Sequence, residues 1–119
     1  MTIGDIVHLE FHTTNFDNFK KYYSVFNWKF EPWGDDYMTF GTPNRSGGGL
    51  ILTDTPMPNQ NMYPYILVDD VNSFLPKMKE IGWIVAKEKS LIPEVGYYAT
   101  LNDFDGNTIL LFESLPEQK

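Results

Sequence analysis

The sequence is written twice. Slide it along itself until Asn15 falls on Asp70. Phe16 then falls on Val71, Phe19 on Phe74, Tyr23 on Met78, Phe26 on Ile81 and Trp28 on Trp83, with no gap. Each half also carries a Gly-led apolar run near its end, "GGLILTD" from Gly48 and "GNTILLFE" from Gly106, reached in the second half after a few added residues. An internal repeat of this kind means that one supersecondary unit has been used in two copies.

Each half reads as strand, helix and three strands. The helical windows are "NFDNFKKYYSVF" and "DVNSFLPKMKEI". Asn15 and Asp70 are good N-caps, because a short side-chain oxygen can accept from the first free N–H groups. Apolar residues follow at helical spacing: Phe16, Phe19, Tyr23 and Phe26 in one window, Val71, Phe74, Met78 and Ile81 in the other. Pro76 lies inside the second window and should bend that helix or delay its start. Strands are expected near 5–12, 28–33, 36–41 and 47–53, and again near 62–68, 83–89, 95–102 and 107–113. The join, "TDTPMPNQNM", has the Pro and Asn content of a linker. Short hairpins imply antiparallel neighbours, and each apolar helix stripe needs a sheet face to cover.

Composition excludes several classes. The 119 residues are 42% hydrophobic and 16% aromatic, enough for one domain, with repeats 1–58 and 62–119, and against disorder. There is no cysteine, so disulfides and thiolate chemistry are absent. No apolar run approaches a membrane span, and the N-terminus lacks the basic start and apolar block of a signal peptide; no membrane partner and a cytoplasmic location are expected. A net charge of −7 would repel a phosphate backbone, so no nucleic acid is expected as partner.

The stretches "VHLEFHTTNFDNFKKYYSVFNWKF", "GGGLIL", "YPYILVDDV" and "GYYATLNDFDGNTILLFE" resemble the vicinal oxygen chelate superfamily over essentially the whole chain. That superfamily includes glyoxalase I, fosfomycin-resistance proteins, extradiol dioxygenases and bleomycin-resistance proteins; small glyoxalase-related proteins are the nearest in pattern. The resemblance implies an α+β fold: two tandem βαβββ modules forming a curved mixed sheet around a cleft, with helices on the outer face. It also implies a homodimer and a small-molecule ligand. In metal-dependent members the first and fourth strands of each module feed the metal. Those positions carry over to His8, Leu52, Tyr63 and Leu110. Of these only His8 is a good ligand, so no cofactor is expected and the divalent metal centre is expected to be dismantled.

The residues themselves offer other chemistry. His8, Glu10 and His12 alternate and so share a face of the first strand. His8 and Glu10 are the candidate catalytic pair, or the polar floor of a binding site. Tyr63, Tyr65, Leu110 and Phe112, with Leu52, would line an apolar aromatic trough. Trp33, beside "GDD", and Tyr97 are candidate rim residues. Glu113 is out of phase with Leu110 and should face the helix, which removes it as a replacement metal ligand. "NRSGGGL" reads as a flexible hairpin loop. Three readings stand at this point: a small-molecule-binding protein without the metal, a glyoxalase-like lyase or isomerase using His8 and Glu10, and an interaction module whose trough is filled by its own side chains.

Overall fold

The computed structural model describes residues 2–116. The chain divides into two compact units, one ending at Pro58 and the next beginning at Asn59.

The first unit runs β1 (Leu9–Thr13), α1 (Phe16–Tyr22), a 3-10 turn (Tyr23–Val25), β2 (Lys29–Pro32), β3 (Tyr37–Gly41) and β4 (Gly47–Leu52). Its sheet order is β1-β4-β3-β2, with β1 parallel to β4 and the hairpin neighbours antiparallel. The second unit repeats this plan with β5 (Tyr65–Leu67), α2 (Val71–Ile81), β6 (Ile84–Ile92), β7 (Gly96–Asn102) and β8 (Thr108–Ser114), in the order β5-β8-β7-β6. The expected α+β class and both βαβββ modules are present.

Both expected caps form. Asn15 accepts from the Asn18 N–H, and Asp70 from the Asn72 N–H. Pro76 does not delay α2, which starts at Val71 and runs through it. The first window is helical only to Tyr22 and then tightens into the 3-10 turn, which lays Tyr23 flat on Phe19 with ring centroids 3.9 Å apart. Phe11 of β1 meets Phe19 at 5.5 Å and Phe40 of β3 at 5.9 Å, and Trp28 stacks on Phe40 at 4.7 Å. Burying each such ring contributes roughly 1.5–3 kcal/mol. The second core joins Val71, Leu75 and Met78 of α2 to Ala99, Leu101, Ile109 and Leu111, all buried.

The starts of β1 and β5 and the extent of the glycine-rich loop differ from expectation. β1 begins at Leu9, so His8 stands just ahead of it, and β5 begins at Tyr65, so Tyr63 stands ahead of that strand. The glycine triplet Gly47–Gly49 belongs to β4 rather than to a loop; the turn is the stretch 42–46, tied by Asn44 Oδ1 accepting from Thr42 and Ser46. A Cβ on Gly48 would collide with the Leu9 carbonyl, so the close β1–β4 approach excludes a side chain there.

Register fixes which residues share a face. In the first unit Phe11, Leu50 and Met38 form one row, on the α1 side. Glu10, Gly49 and Thr39 form the next row, on the opposite side. In the second unit Tyr65, Leu110 and Thr100 form a row, as do Leu67, Phe112 and Tyr98, both on the side away from α2. The repeat carries Glu10 onto Tyr65, so the registers match Gly49 with Leu110, Ile51 with Phe112 and Tyr37 with Tyr98. Matching Leu52 to Leu110 is an odd slip from this register, and an odd slip moves a side chain to the other face.

Candidate functional site

Three side chains of the first unit meet on the face away from α1. His8 Nε2 lies 3.1 Å from Glu10 Oε2 and 2.9 Å from Tyr37 Oη. Tyr37 Oη donates to Glu10 Oε2 over 2.9 Å. A phenol has one hydrogen, and here it goes to the carboxylate. His8 Nε2 must therefore carry the hydrogen within the cluster, and Nδ1 is an acceptor whenever the ring is neutral. Glu10 Oε2 receives two hydrogens while the rest of its carboxylate stays open.

Gly49 makes this meeting possible. It pairs with Glu10 across β1–β4, and a Cβ there would run into the Oη and ring carbons of Tyr37. The Tyr37 ring lies across the bare backbone of β4 and so brings its hydroxyl over to β1. The electrostatics follow from the contacts. The hydrogen bond from Tyr37, and then that from His8, hold the Glu10 carboxyl below its ordinary range, against a smaller opposing effect of burial. Tyr37 is pushed above the usual phenol range by burial first, then by its bond to Glu10 and that residue's charge. The His8 and Glu10 side chains remain 46% and 40% exposed, so a solute can reach them.

The other sequence-predicted residues are distributed as follows. Tyr65 and Leu110 pair directly, and Phe112 lies one pleat along the same face; Tyr65 is exposed and Leu110 buried. Tyr63 is exposed ahead of β5. Leu52 pairs with Thr13 on the α1 side of its sheet, opposite Glu10's face. Trp33 is exposed, and its N–H donates to the Tyr37 carbonyl at 3.1 Å. Tyr97 pairs with Glu113 on the α2 side, under the Lys89 ammonium at 4.3 Å. Glu113 does face the helix: its Oε1 accepts the Val71 N–H at 2.8 Å and meets Lys89 at 3.2 Å. Neither Tyr37 nor Gly49 is among the site residues read from the sequence, where Gly49 counts only as part of a loop. The hairpin across residues 42–46 sets Tyr37 against Ile51 and Gly49 against Thr39, and only the parallel β1–β4 pairing then brings Glu10 to them.

No protein-family model and no curated protein matches the sequence. Solved structures do match it, and they give it the glyoxalase/bleomycin-resistance fold of the vicinal oxygen chelate superfamily. A glyoxalase/bleomycin resistance protein/dioxygenase family enzyme from Burkholderia phytofirmans superposes with a TM-score of 0.80 at 16% identity, over 94% of this chain and 100% of that one. The fosfomycin resistance protein FosX from Listeria monocytogenes, in a form complexed with Mn(II) and dihydroxypropylphosphonic acid, gives 0.79 at 14% identity over 96% and 93%. A glyoxalase-related enzyme from Fulvimarina pelagi gives 0.73 at 12% identity over 94% and 89%. The resemblance drawn from the sequence holds at the level of the fold.

The residues present do not fit a divalent metal of the superfamily type. His8 Nε2 is committed to Glu10 and Tyr37, the fourth-strand positions are Gly49 and Leu110 by register, and neither offers a donor atom. Among the described residues no group of three or more His, Asp or Glu side chains could hold a metal ion. Among the same residues no helix is long and apolar enough to cross a membrane.

Proposed function

We propose that this chain is a small-molecule-binding protein that works without the superfamily's metal and holds a polar group of its ligand on His8 and Glu10, with Tyr37 fixing both. The observation that carries this reading is the closed ring of hydrogen bonds among the three side chains. It positions an imidazole acceptor and a carboxylate oxygen on a solvent-accessible sheet face. A ligand hydroxyl, amine or ammonium suits those acceptors, and the chain's negative charge favours a cationic one. Within the second unit, Tyr65, Leu110 and Phe112 share a sheet face and offer an apolar surface of their own to a ligand. The cytoplasmic location and the homodimer also belong to this reading.

A second reading is favoured by the contact of His8 with Glu10 and Tyr37. In its neutral form His8 would take a proton at Nδ1 from a carbon or hydroxyl beside a carbonyl, as in a glyoxalase-like lyase or isomerase, with Glu10 and Tyr37 stabilising the imidazolium.

Two measurements test the proposal. Elemental analysis of the purified protein should find no stoichiometric divalent metal; about one Ni, Zn, Fe or Mn per chain would sink the metal-free reading. A thermal-shift screen of hydroxylated and cationic aromatic compounds should yield ligands whose effect disappears in His8→Ala, the binding loss being about 1–3 kcal/mol. Ligands that bind His8→Ala and wild type equally would move the site elsewhere. Turnover of a small 2-oxo-aldehyde or hydroxyketone that His8→Ala abolishes would favour the enzyme.

A further inference from the structure

Tyr98 occupies in the second unit the register position that Tyr37 occupies in the first, yet its partner is different. The Lys87 ammonium donates to Tyr98 Oη over 2.6 Å. The backbone goes out of its way to make this contact. Ile84 pairs with Asn102 and Val85 with Leu101, so simple alternation would place Ala86, not Lys87, opposite Thr100. An irregularity between Val85 and Lys87 inserts one residue and puts Lys87 opposite Thr100 instead. A second irregularity, between Lys87 and Ser90, brings Ser90 opposite Tyr98. Bulges re-aim side chains in this way. The result sorts two lysines of one strand: Lys89 reaches Glu113 and Tyr97 on the α2 side, whereas Lys87 reaches Tyr98 on the far side.

We propose that Lys87 and Tyr98 form the anion-binding end of a second site, and that its ligand is a small organic carboxylate whose apolar body lies along Phe112 and Leu67. Because Tyr98 Oη accepts from Lys87, its own hydrogen points elsewhere, and the ammonium keeps further N–H groups beyond the one it has given. An O–H and an N–H from adjacent atoms then suit the two oxygens of one carboxylate, with a charge-assisted bond from the lysine. The apolar half of the site follows from the register. Leu67, Phe112 and Tyr98 form one continuous row across β5, β8 and β7, and Leu67 is exposed. A net charge of −7 repels bare anions at long range, so a ligand must also gain from that apolar row. All these residues lie in the second unit, and the site stands whether or not His8 and Glu10 bind anything.

Phenylacetate, with phenylacetamide as its uncharged counterpart, tests the site by NMR titration of the intact chain. Phenylacetate should shift the Leu67, Tyr98 and Phe112 resonances saturably. Lys87→Gln should weaken it about tenfold or more, the usual consequence of losing a hydrogen bond to a charged group. Tyr98→Phe should weaken it several-fold, and Lys87→Arg should retain binding. Phenylacetamide should bind wild type no better than phenylacetate binds Lys87→Gln. Should Lys87→Gln fail to fold, Tyr98→Phe and Lys87→Arg carry the comparison. The proposal is overturned if phenylacetate leaves those three residues unshifted, if it binds Tyr98→Phe or folded Lys87→Gln like wild type, or if the amide binds as tightly as the acid.

Discussion

Asn59 and Thr108 hold each other through a side-chain imitation of a strand pair. The Thr108 N–H donates to Asn59 Oδ1 at 2.8 Å, and Asn59 Nδ2 donates back to the Thr108 carbonyl at 2.9 Å. Asn59 Nδ2 also reaches the Met62 carbonyl, and the Asn59 N–H is taken by Asn107 Oδ1. Asn107 is itself buried, with its N–H on Asp103 Oδ1. One asparagine thus pins the segment leading to β5 onto the turn before β8. Asn59→Ala should destabilise the protein by about 1–3 kcal/mol, since several partners lose their bond together. Urea unfolding measures this, and a change within experimental error would mean that water replaces the amide at no cost.

Gly49→Ala should act on Tyr37 rather than on β4. The added methyl group needs the space that the phenol ring occupies. Overpacking of this kind costs roughly 1–3 kcal/mol. The diagnostic readout is the phenolate absorbance titration: Tyr37 should lose its upward displacement once it swings off Glu10. A Gly49→Ala protein whose tyrosine titration matches wild type would show that the ring had stayed in place.

The cluster sets two opposite pH dependences. Glu10 has a lowered folded-state pKa, so its stabilising contribution is present above the ordinary carboxylate range and is lost as pH falls through the lowered value. Tyr37 has a raised one, so its contribution is present below the ordinary phenol range and is lost as pH rises through the raised value. In Tyr37→Phe the Glu10 carboxyl should titrate at higher pH than in wild type, because its largest stabilising bond is gone. In Glu10→Gln the Tyr37 phenol should titrate lower. Carboxyl NMR titration and ultraviolet titration read the two shifts separately, and an unmoved Glu10 in Tyr37→Phe would break the argument.

We expect a homodimer in solution. Ile3, Ile6 and Val7 are exposed together in one short segment, and Tyr65, Leu67 and Leu91 are exposed elsewhere. Apolar surface of this extent is normally covered by a partner. Light scattering at tens of micromolar, roughly, should give twice the chain mass, and the monomer mass there would rule the dimer out.

Much of the fold was legible because the repeat doubled every local signal. Asn15 and Asp70 cap as read, and Glu113 turns to the helix as its parity required. The site was less legible, because it depends on long-range register. Leu52 looked equivalent to Leu110 when only the Gly-led runs were compared; the parallel pairings Glu10 with Gly49 and Tyr65 with Leu110 decide otherwise. Lys87 was invisible for a related reason. "AKEKS" carries no Gly or Pro to announce its two irregularities, so alternation assigns the lysine to the wrong face.

The strand order has a consequence for synthesis of the chain. β1 finds its neighbour in β4, the last strand of its unit, and β5 waits in the same way for β8. Until β4 has been made, β1 has no ladder to join, and its loop-closing entropy is unrewarded. Once β4 has left the ribosome the first sheet has every strand it needs, before the second sheet can be completed. Nascent chains whose Gly47 is still inside the ribosome should therefore be cut readily by protease within β1, and those whose Pro58 has emerged should resist.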